Sequence, residues 1–180
     1  MAIAFARPEY VGRSDNKNAC CKSSYNSRSK IVDERAGKVF NFTNHGGNAY
    51  HEMLLPEYVD KKFKNAEGFS NEVERAEKRK DSQLYVEWLL ALPKEKEITL
   101  EMKKEIIKEF IERKGWIKEG LGVQIDIHEP HDGEKNWHAH LLVTTRRFRK
   151  DGLGLEDKKA VDLQPEIKYG KVQKTAEIDN

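Results

Sequence analysis

The chain has 180 residues, of which 36% are charged and 37% hydrophobic, and its formal net charge is +2. This length suits one compact domain with its own core, and the recurring apolar stretches exclude a wholly disordered chain. Cys20 and Cys21 are its only cysteines, which excludes a disulfide scaffold and favours a reducing cytoplasm. No apolar stretch approaches the roughly 20 residues that span a bilayer, so we expect no membrane partner.

Two stretches are basic although the whole chain is nearly neutral. Between Arg13 and Lys38, seven basic and three acidic residues give a local excess of four positive charges. Positive charge is only the electrostatic part of a nucleic-acid surface, so such clusters permit a nucleic-acid partner without establishing one. The second cluster follows the last clear apolar stretch and consists of Arg146, Arg147, Arg149 and Lys150.

The N-terminal part of the chain predicts one strand, one helix and a loop. The apolar stretch Ala2 to Ala6 is typical of an opening strand. Asn16 or Asn18 is a suitable N-cap for a helix that runs through Tyr25. Residues 38–48 carry turn-forming residues and end in two glycines, which predicts a loop.

The middle of the chain changes period twice. Residues 70–80 are rich in Glu, Arg, Lys and Ala, which predicts an exposed helix. Residues 84–92 are apolar at every second position, with few polar residues between, which favours a strand buried on both faces over a helix; Pro93 would stop it. From Thr99 an apolar stripe that includes Met102 predicts an amphipathic helix ending at Gly115.

Two alternating segments predict a hairpin near the end of the chain. Residues 121–128 and 137–145 both alternate apolar and polar side chains, and a turn-rich loop joins them. Residues 156–180 lack a convincing period and are expected to form a loop or a helix cut short. The whole pattern predicts an α+β fold, a two-layer α/β sandwich whose central antiparallel sheet carries a histidine cluster.

The histidine cluster is the strongest chemical signal in the chain. His138 and His140 are two residues apart on a predicted strand, so both side chains project from one face. His128 lies on the polar face of the preceding strand, beside them if the two strands pair. Three imidazoles on one face can bind a divalent metal ion and leave coordination positions open, as catalytic sites require.

A His-x-His pair alone is weak support for a metal site, and the third histidine on the matching face makes the site the favoured interpretation. The remaining histidines are expected at the surface, where they would not bind metal. They are His45, His51 and His131, and His131 is the one closest in sequence to the cluster.

Tyr25 and Glu87 are candidate catalytic residues, although the pattern alone leaves both roles open. A phenol is protonated at neutral pH, so a nucleophilic Tyr25 would need Lys22, Arg28 or a metal ion to favour the phenolate. Glu87 is a carboxylate on an otherwise apolar strand and needs a partner. It would accept a proton from Tyr25, orient a ligand histidine, or form a salt bridge with a basic residue.

At this point four segments resemble the nuclease domain of relaxases of the MobA/MobL type, which include the TraA proteins of conjugative elements. Each segment alone is weak evidence for the family. Together they are specific, because they occur in the family's order and extend to about Leu155. Trp137 stands where the family often has Pro, which changes the approach to His138 and removes no ligand. The four segments are residues 1–5, residues 23–29, residues 79–93, and residues 127–128 together with 136–142.

The resemblance implies a function and a set of residue roles. It implies a tyrosine transesterase of the HUH endonuclease superfamily that nicks one DNA strand at an origin of transfer through a 5′-phosphotyrosine intermediate. Tyr25 would be the nucleophile and Glu87 the acidic residue of the site. The metal ion, expected to be Mg²⁺ or Mn²⁺, would be bound by His128, His138 and His140.

The resemblance also implies the partners and the domain organisation. The expected partners are single-stranded DNA at the nick site, the adjacent duplex or hairpin, and accessory conjugation proteins, in the bacterial cytoplasm. Residues 1–155 are expected to form the relaxase domain and residues 156–180 an extension of it, and longer family members continue into further domains. The candidate DNA-binding residues are Lys22, Arg28, Arg146 and Arg147.

Three other functions remain open at this level. A rolling-circle replication initiator also combines paired histidines with a tyrosine, but its tyrosine usually follows the histidines, whereas Tyr25 precedes them by more than a hundred residues. A non-catalytic module would bind metal or DNA without cleavage. A histidine-liganded hydrolase would use water and form no covalent intermediate.

Overall fold

The computed structural model describes residues 5–15, 17–131, 136–168 and 171–172. This part contains three α-helices: α1 (Ala19–Ser27), α2 (Ala66–Ala76) and α3 (Leu100–Lys114). It also contains eleven strands, several of them short. They are β1 (Phe5–Gly12), β2 (Lys30–Asp33), β3 (Lys38–Asn41), β4 (Asn48–Leu54), β5 (Gln83–Ala91), β6 (Val123–His128), β7 (His138–Thr144), β8 (Arg146–Phe148), β9 (Leu155–Lys159), β10 (Ile167–Lys168) and β11 (Lys171–Val172).

Five strands form a central antiparallel sheet in the order β1-β5-β7-β6-β4. The remaining strands form three two-stranded ribbons, β2-β3, β8-β9 and β10-β11. The predicted α+β class and the antiparallel sheet carrying the histidine cluster are therefore confirmed. The predicted strands at 84–92, 121–128 and 137–145 correspond to β5, β6 and β7.

Helices pack on both faces of this sheet. On one face, Ile107 and Ile111 of α3 join a buried cluster with alternate residues of the inner strands, such as Ile125 and Leu141. On the other face, Phe69 of α2 lies in a second cluster. Alternation along each strand thus supplies one apolar surface for α3 and a second, more polar surface for α1 and α2.

Helix α3 confirms the predicted capping at both ends. The Thr99 side chain accepts a hydrogen bond from the Met102 amide, and Gly115 ends the helix in the left-handed conformation with φ of 69°. Met102 itself is 42% exposed, so the prediction that it belongs to the buried stripe is wrong. Within the described ranges, no helix has the length and apolar character needed to cross a membrane.

The N-terminal third differs from the prediction in three places. The opening strand is longer than predicted, because β1 continues to Gly12, while residues 2–4 lie outside the described part. Asn18 is the N-cap of α1 and accepts a hydrogen bond from the Cys21 amide. The loop predicted at residues 38–48 is confirmed only for residues 42–47, since β3 occupies its first four residues and β4 begins at Asn48. The β2-β3 ribbon lies outside the central sheet, and Ile31 is its one buried apolar residue, so the sequence of these strands carries no repeated apolar period.

The exposed helix predicted at residues 70–80 is also wrong in extent and in burial. Helix α2 begins four residues earlier, after the N-cap Asn65, and ends at Ala76. Its inward face buries not only Phe69 and Val73 but also the carboxylates Glu72 and Glu74. Charged residues that are buried with partners look the same in a sequence as charged residues on a solvated face.

The C-terminal part is anchored by a buried carboxylate just beyond α2. Glu77 is 1% exposed and forms ion pairs of 2.6 Å with both Arg146 of β8 and Lys159 of β9. In its described part, the segment after residue 155 continues strand β9, which pairs with β8, and then forms one short 3-10 turn at Val161–Leu163. The expected plain loop or truncated helix is therefore wrong there. The division into residues 1–155 and 156–180 stays a prediction.

We predict that Glu77→Gln destabilises the domain by about 3 kcal/mol, because it leaves two partly buried cations without their counter-charge. Burial raises the pKa of Glu77, but the hydrogen bonds from Arg146 and Lys159 outweigh it and lower the pKa below its ordinary value. The stabilisation is present above the unfolded-state pKa of about 4.3 and is lost as the pH falls through the folded-state pKa. Urea denaturation at neutral and acid pH measures both effects.

The control is Glu105→Gln, which changes an exposed carboxylate on α3 and should alter the unfolding free energy by no more than about 0.5 kcal/mol. The difference between wild type and Glu77→Gln should shrink below the unfolded-state pKa. Equal stability of the two proteins at neutral pH would contradict the structural role of this ion-pair cluster.

Candidate active site

The three predicted ligand histidines converge on one face of the sheet. The register of β6 and β7 places His128 directly opposite His138, and His140 lies two residues further along β7. The centroids of the three rings are 4.8 to 5.2 Å apart. One nitrogen from each ring lies within 4.8 Å of the others, so small movements of the rings would bring all three to the bonds of about 2.0–2.2 Å that a single ion requires. The predicted hairpin pairing is confirmed.

The other ring nitrogen of each histidine contacts an oxygen acceptor. His128 Nε2 lies 2.7 Å from the Asn26 carbonyl oxygen, and His138 Nδ1 lies 2.9 Å from the Asn136 carbonyl oxygen. His140 Nδ1 lies 2.7 Å from a carboxylate oxygen of Glu87. Because these oxygens can only accept, the nitrogens that face them carry the protons. The candidate ligand atoms are therefore Nδ1 of His128 and Nε2 of the other two.

His128 fits a metal ligand on a further observation. Its Nδ1 is buried and has no hydrogen-bond partner among the residues that the structure describes, which is costly unless a ligand occupies the position. Burial lowers the pKa of His128 to about 4. The hydrogen bond to the Asn26 carbonyl opposes this shift, whereas the positive charge of nearby Arg28 adds to it. The ring is thus neutral at neutral pH, as metal binding requires.

Glu87 on β5 joins the histidines to helix α1. One carboxylate oxygen accepts from His140 and, at 3.2 Å, from the Asn26 side-chain amide. The other forms a 2.8 Å ion pair with Lys22. Burial alone would raise the pKa of Glu87, but the hydrogen bond from His140 and the charge of Lys22 lower it to about 2. Both oxygens are thus occupied, an arrangement suited to orienting His140.

Helix α1 is attached to the site by buried polar contacts that the sequence did not reveal. The Ser23 hydroxyl donates a 2.5 Å hydrogen bond to Gln124 on β6. The Asn26 carbonyl accepts from His128 and also, at 3.1 Å, from the Asn48 side chain. The sequence did carry a signal for these contacts. Lys22 and Asn26 are four residues apart and therefore project from the same side of α1, so this side of the helix is polar rather than apolar.

The attachment of α1 also fixes the position of Tyr25, which precedes Asn26 in the last turn of the helix. Its side chain is 37% exposed and contacts the rings of Phe42 and His45 edge-on, with centroids 5.3 and 6.2 Å away. The Arg28 guanidinium lies 4.3 Å from the centre of the Tyr25 ring. His45 is exposed, as predicted, yet it helps to hold the candidate nucleophile.

Arg28 occupies an unusual backbone position beside the site. Its φ of 54° is the only positive value at a non-glycine residue in the described part, and it ends α1. Its side chain donates hydrogen bonds to the carbonyl oxygens of Tyr25, at 2.6 Å, and Gly46, at 3.2 Å. Arg28 and His45 also line an open cleft of about 400 Å³ together with His51 and Asn48. Sparsely populated backbone conformations of this kind cluster at functional sites.

A second buried carboxylate lies beside the histidines. Asp126, two residues before His128, is completely buried and 2.7 Å from His51 Nδ1. The side-chain amides of Gln124 and Asn48 donate to the same carboxylate at 2.7 and 3.2 Å. His51 is thus exposed, as predicted, but it also contacts the buried polar layer under the site.

The structure does not bring Arg146 and Arg147 to this site. They follow the far end of β7, so Arg146 is six residues, or about 20 Å of strand, beyond His140. Arg146 pairs with Glu77, and Arg147 pairs with Asp162 at 2.6 Å. Lys22 and Arg28, by contrast, lie on or next to α1 beside the histidines.

We predict that the protein binds a divalent transition metal and that His138→Ala and His140→Ala each weaken binding strongly. Thermal unfolding at increasing Mn²⁺ concentration measures this, because a ligand that binds the folded state raises the melting temperature in proportion to the logarithm of its concentration. His131→Ala is the control and should keep the metal-dependent shift. Loss of the shift in that variant alone would mean that the ligand set is wrong.

We further predict that Glu87→Gln weakens metal affinity about 10- to 100-fold without unfolding the domain, because it replaces the acceptor that orients His140. Isothermal titration measures the affinity, and circular dichroism checks the fold. Glu9→Gln is the matched control, since Glu9 lies directly opposite Glu87 on the neighbouring strand and makes no ion pair that the structure describes. Unchanged affinity in Glu87→Gln would exclude the orienting role.

Comparison with known proteins agrees with the resemblance of the motifs. Residues 17–179 match the model of the MobA/MobL family. The conjugal transfer protein TraA of Agrobacterium fabrum is 29% identical over 168 residues, which cover 86% of this chain. The mobilization protein MobL of Acidithiobacillus ferridurans is 30% identical over 191 residues, which cover 92% of this chain. The chain spans only 14% of that TraA and 48% of that MobL.

A solved structure is also similar in fold and in sequence. It comes from work on the molecular basis of vancomycin resistance transfer in Staphylococcus aureus. The two chains superimpose with a TM-score of 0.75 and 33% identity, covering 90% of this chain and 79% of the other. With the family match over most of its length and these similarities, the chain belongs to the MobA/MobL family.

Proposed function

We propose that this chain is the DNA-nicking domain of a conjugative relaxase, which cuts one strand at an origin of transfer and remains attached to it. The observation that carries the proposal is the position of Asn26 beside Tyr25 in the last turn of α1. The Asn26 carbonyl accepts a hydrogen bond from His128 of the three-histidine site. A candidate metal centre and a candidate nucleophile are thereby fixed to one short segment. The relatives named for conjugal transfer and mobilization support the biological role.

In the proposed reaction, the Tyr25 hydroxyl oxygen attacks the scissile phosphorus. A bond forms between this oxygen and phosphorus, and the bond from phosphorus to the 3′-oxygen breaks. The phenol loses its proton and the departing 3′-oxygen gains one, so the step releases no net proton and leaves a 3′-hydroxyl and a 5′-phosphotyrosine. Because the phosphodiester energy is kept in that linkage, attack by a 3′-hydroxyl can reseal the DNA.

The neighbouring residues have separate roles in this scheme. Arg28 lies over the Tyr25 ring and holds it in place by a cation–π contact. Glu87 holds His140 in the tautomer that presents Nε2 to a metal ion. We retain Lys22 and Arg28 as phosphate-binding candidates because they lie beside the histidines. We assign Arg146 and Arg147 to the stability of the C-terminal part because they form ion pairs there, away from the histidines.

The three imidazoles would bind the metal ion. When bound, the ion would polarise the scissile phosphate and neutralise the charge that develops during transfer. A set of neutral nitrogen donors favours a transition metal over Mg²⁺, which prefers oxygen ligands. Of the two ions predicted from the resemblance, we therefore favour Mn²⁺.

Single-stranded DNA at the nick site and the adjacent origin duplex or hairpin are the proposed partners. Accessory conjugation proteins would act through parts of the protein beyond this domain or on its DNA complex. A replication initiator of the same superfamily is the second candidate function, and the position of Tyr25 before the histidines argues against it. We propose the bacterial cytoplasm as the compartment.

We predict that the wild-type protein forms a Mn²⁺-dependent covalent adduct with an oligonucleotide that contains its nick site, and that Tyr25→Phe abolishes it. The matched control is Tyr58→Phe, because Tyr58 is also 37% exposed and lies against Phe148, far from the histidines. A panel of single-stranded origin-of-transfer sequences, labelled at the 3′-end, is incubated with each protein. A denaturing gel shows whether the label migrates with the protein.

The other results would indicate a different function or a different nucleophile. Free cleaved DNA without an adduct, retained in Tyr25→Phe, would indicate a hydrolase that uses water. DNA retention without cleavage over the whole panel would indicate a binding module. An adduct that survives in Tyr25→Phe and disappears with another tyrosine variant would move the nucleophile to that residue.

A further inference from the structure

We propose that an exposed strip of the sheet beside the histidines binds the single-stranded DNA next to the scissile phosphate. The strip is formed by Phe5 and Arg7 of β1 with Leu89 and Ala91 of β5, and we name it the β1-β5 shelf. The inference rests on the proposed function for its substrate, and it assigns a base-stacking position and a phosphate contact that the motifs did not indicate.

The strand register places the shelf on the same face as the three histidines. Residues directly opposite each other in antiparallel strands project from one face of the sheet. The register therefore aligns the shelf with the candidate metal ligands in two rows across three strands. The first row is Phe5, Ala91 and His138, and the second is Arg7, Leu89 and His140.

The packing of the intervening residues confirms this orientation independently. Ala6 and Tyr10, which alternate with the shelf residues of β1, pack against the cluster that contains α3. Val11, in phase with Phe5 and Arg7, lies in the opposite cluster, which contains Phe69 of α2. The shelf is thus the continuation of the α1-α2 side of the sheet.

Among the residues that the structure describes, the shelf is open where the rest of that face is covered. Phe5 is 46% exposed, which is unusual for a large aromatic side chain on a central sheet, and Arg7 is exposed as well. Leu89 and Ala91 are partly buried and form the floor between β1 and the histidines. Two strand spacings, or about 10 Å, separate Phe5 from His138, so both lie within reach of neighbouring nucleotides.

The side-chain chemistry of the shelf matches a single strand. An aromatic ring beside a cation is the combination with which proteins bind single-stranded DNA, by stacking a base and pairing a phosphate. A duplex keeps its base faces stacked and cannot offer one to Phe5. Glu9, the next residue of β1 on this face, is exposed and repels phosphates, so it limits the shelf at the end away from Phe5.

The occupant is therefore a DNA segment continuous with the phosphate at the histidines. Lys22 stands at the inner boundary of the shelf through its ion pair with Glu87, which lies directly opposite Glu9. The strand would cross the shelf with one base on Phe5 and one phosphate near Arg7. The single aromatic side chain, flanked by charged residues, offers too little apolar area for a protein interface.

Equilibrium binding to a fluorescein-labelled, mixed-sequence, single-stranded oligodeoxynucleotide tests the shelf. EDTA is present so that cleavage does not consume the probe, and stacking on an aromatic ring tolerates any base sequence. We expect Phe5→Ala to weaken binding about 5- to 150-fold, since one base stack contributes about 1–3 kcal/mol. Phe5→Trp should restore it. Leu153→Ala, which removes another exposed apolar side chain, should have no effect.

Salt dependence tests the phosphate contact separately. Arg7→Ala should lower the affinity and reduce the slope of log K against log salt by about 0.7, the value for one phosphate contact on a single strand. Arg7→Lys should keep the slope because it keeps the charge. An unchanged slope in Arg7→Ala would exclude the contact.

The remaining outcomes separate the shelf from the nicking reaction. The shelf is excluded if the wild type does not bind the probe, if Phe5→Ala binds like Leu153→Ala, or if Phe5→Ala weakens binding and Phe5→Trp does not restore it. A covalent adduct in the wild type together with unaltered binding by Phe5→Ala would keep the proposed function and reject the shelf. Weakened binding by Phe5→Ala, without any adduct in the wild type, would keep the shelf and reject the nicking function.

Discussion

The register between β6 and β7 is the constraint on which the candidate site depends. A slip of one residue would exchange the faces of both strands, because side chains alternate with a period of two. The apolar phase of these strands, which includes Ile127 and Ala139, is completely buried against α3. Such a slip would therefore place histidines in the hydrophobic core and apolar side chains in the site. The burial of one face thus fixes the geometry of the other.

A second constraint is the polar contact layer beneath α1. Apolar side chains can slide over each other at small cost, whereas buried polar groups are costly unless each has its partner. Ser23, paired with Gln124, and Asn26, paired with His128, therefore allow only one position of the helix on the sheet. We infer that this layer contributes less to stability than to the placement of Tyr25, since a helix docked by apolar contacts would be equally stable over several positions.

The histidine geometry could be predicted from the sequence because it follows from strand alternation alone. His128, His138 and His140 needed only a period of two and one pairing to come together. The role of Asn26 could not be predicted in this way, since its contact with His128 uses a backbone carbonyl, which every residue possesses. The burial of Glu77 and its ion pair with Arg146 could not be predicted for a related reason, because composition does not distinguish a buried ion pair from two solvated charges.

The position of Arg28 determines where the helix ends and therefore which carbonyl oxygens remain available. In a longer helix, the carbonyl of Asn26 would accept from the backbone amide of residue 30. Instead, the left-handed turn at Arg28 ends the helix early, and that carbonyl accepts from His128 and Asn48. Sequence changes that extend α1 by one turn would therefore strengthen local helix structure at the expense of the contact with His128. In this domain a helix terminus, often treated as a frayed boundary, is a component of the candidate site, and evolution or design can shift it only by breaking the connection between Tyr25 and the histidine cluster.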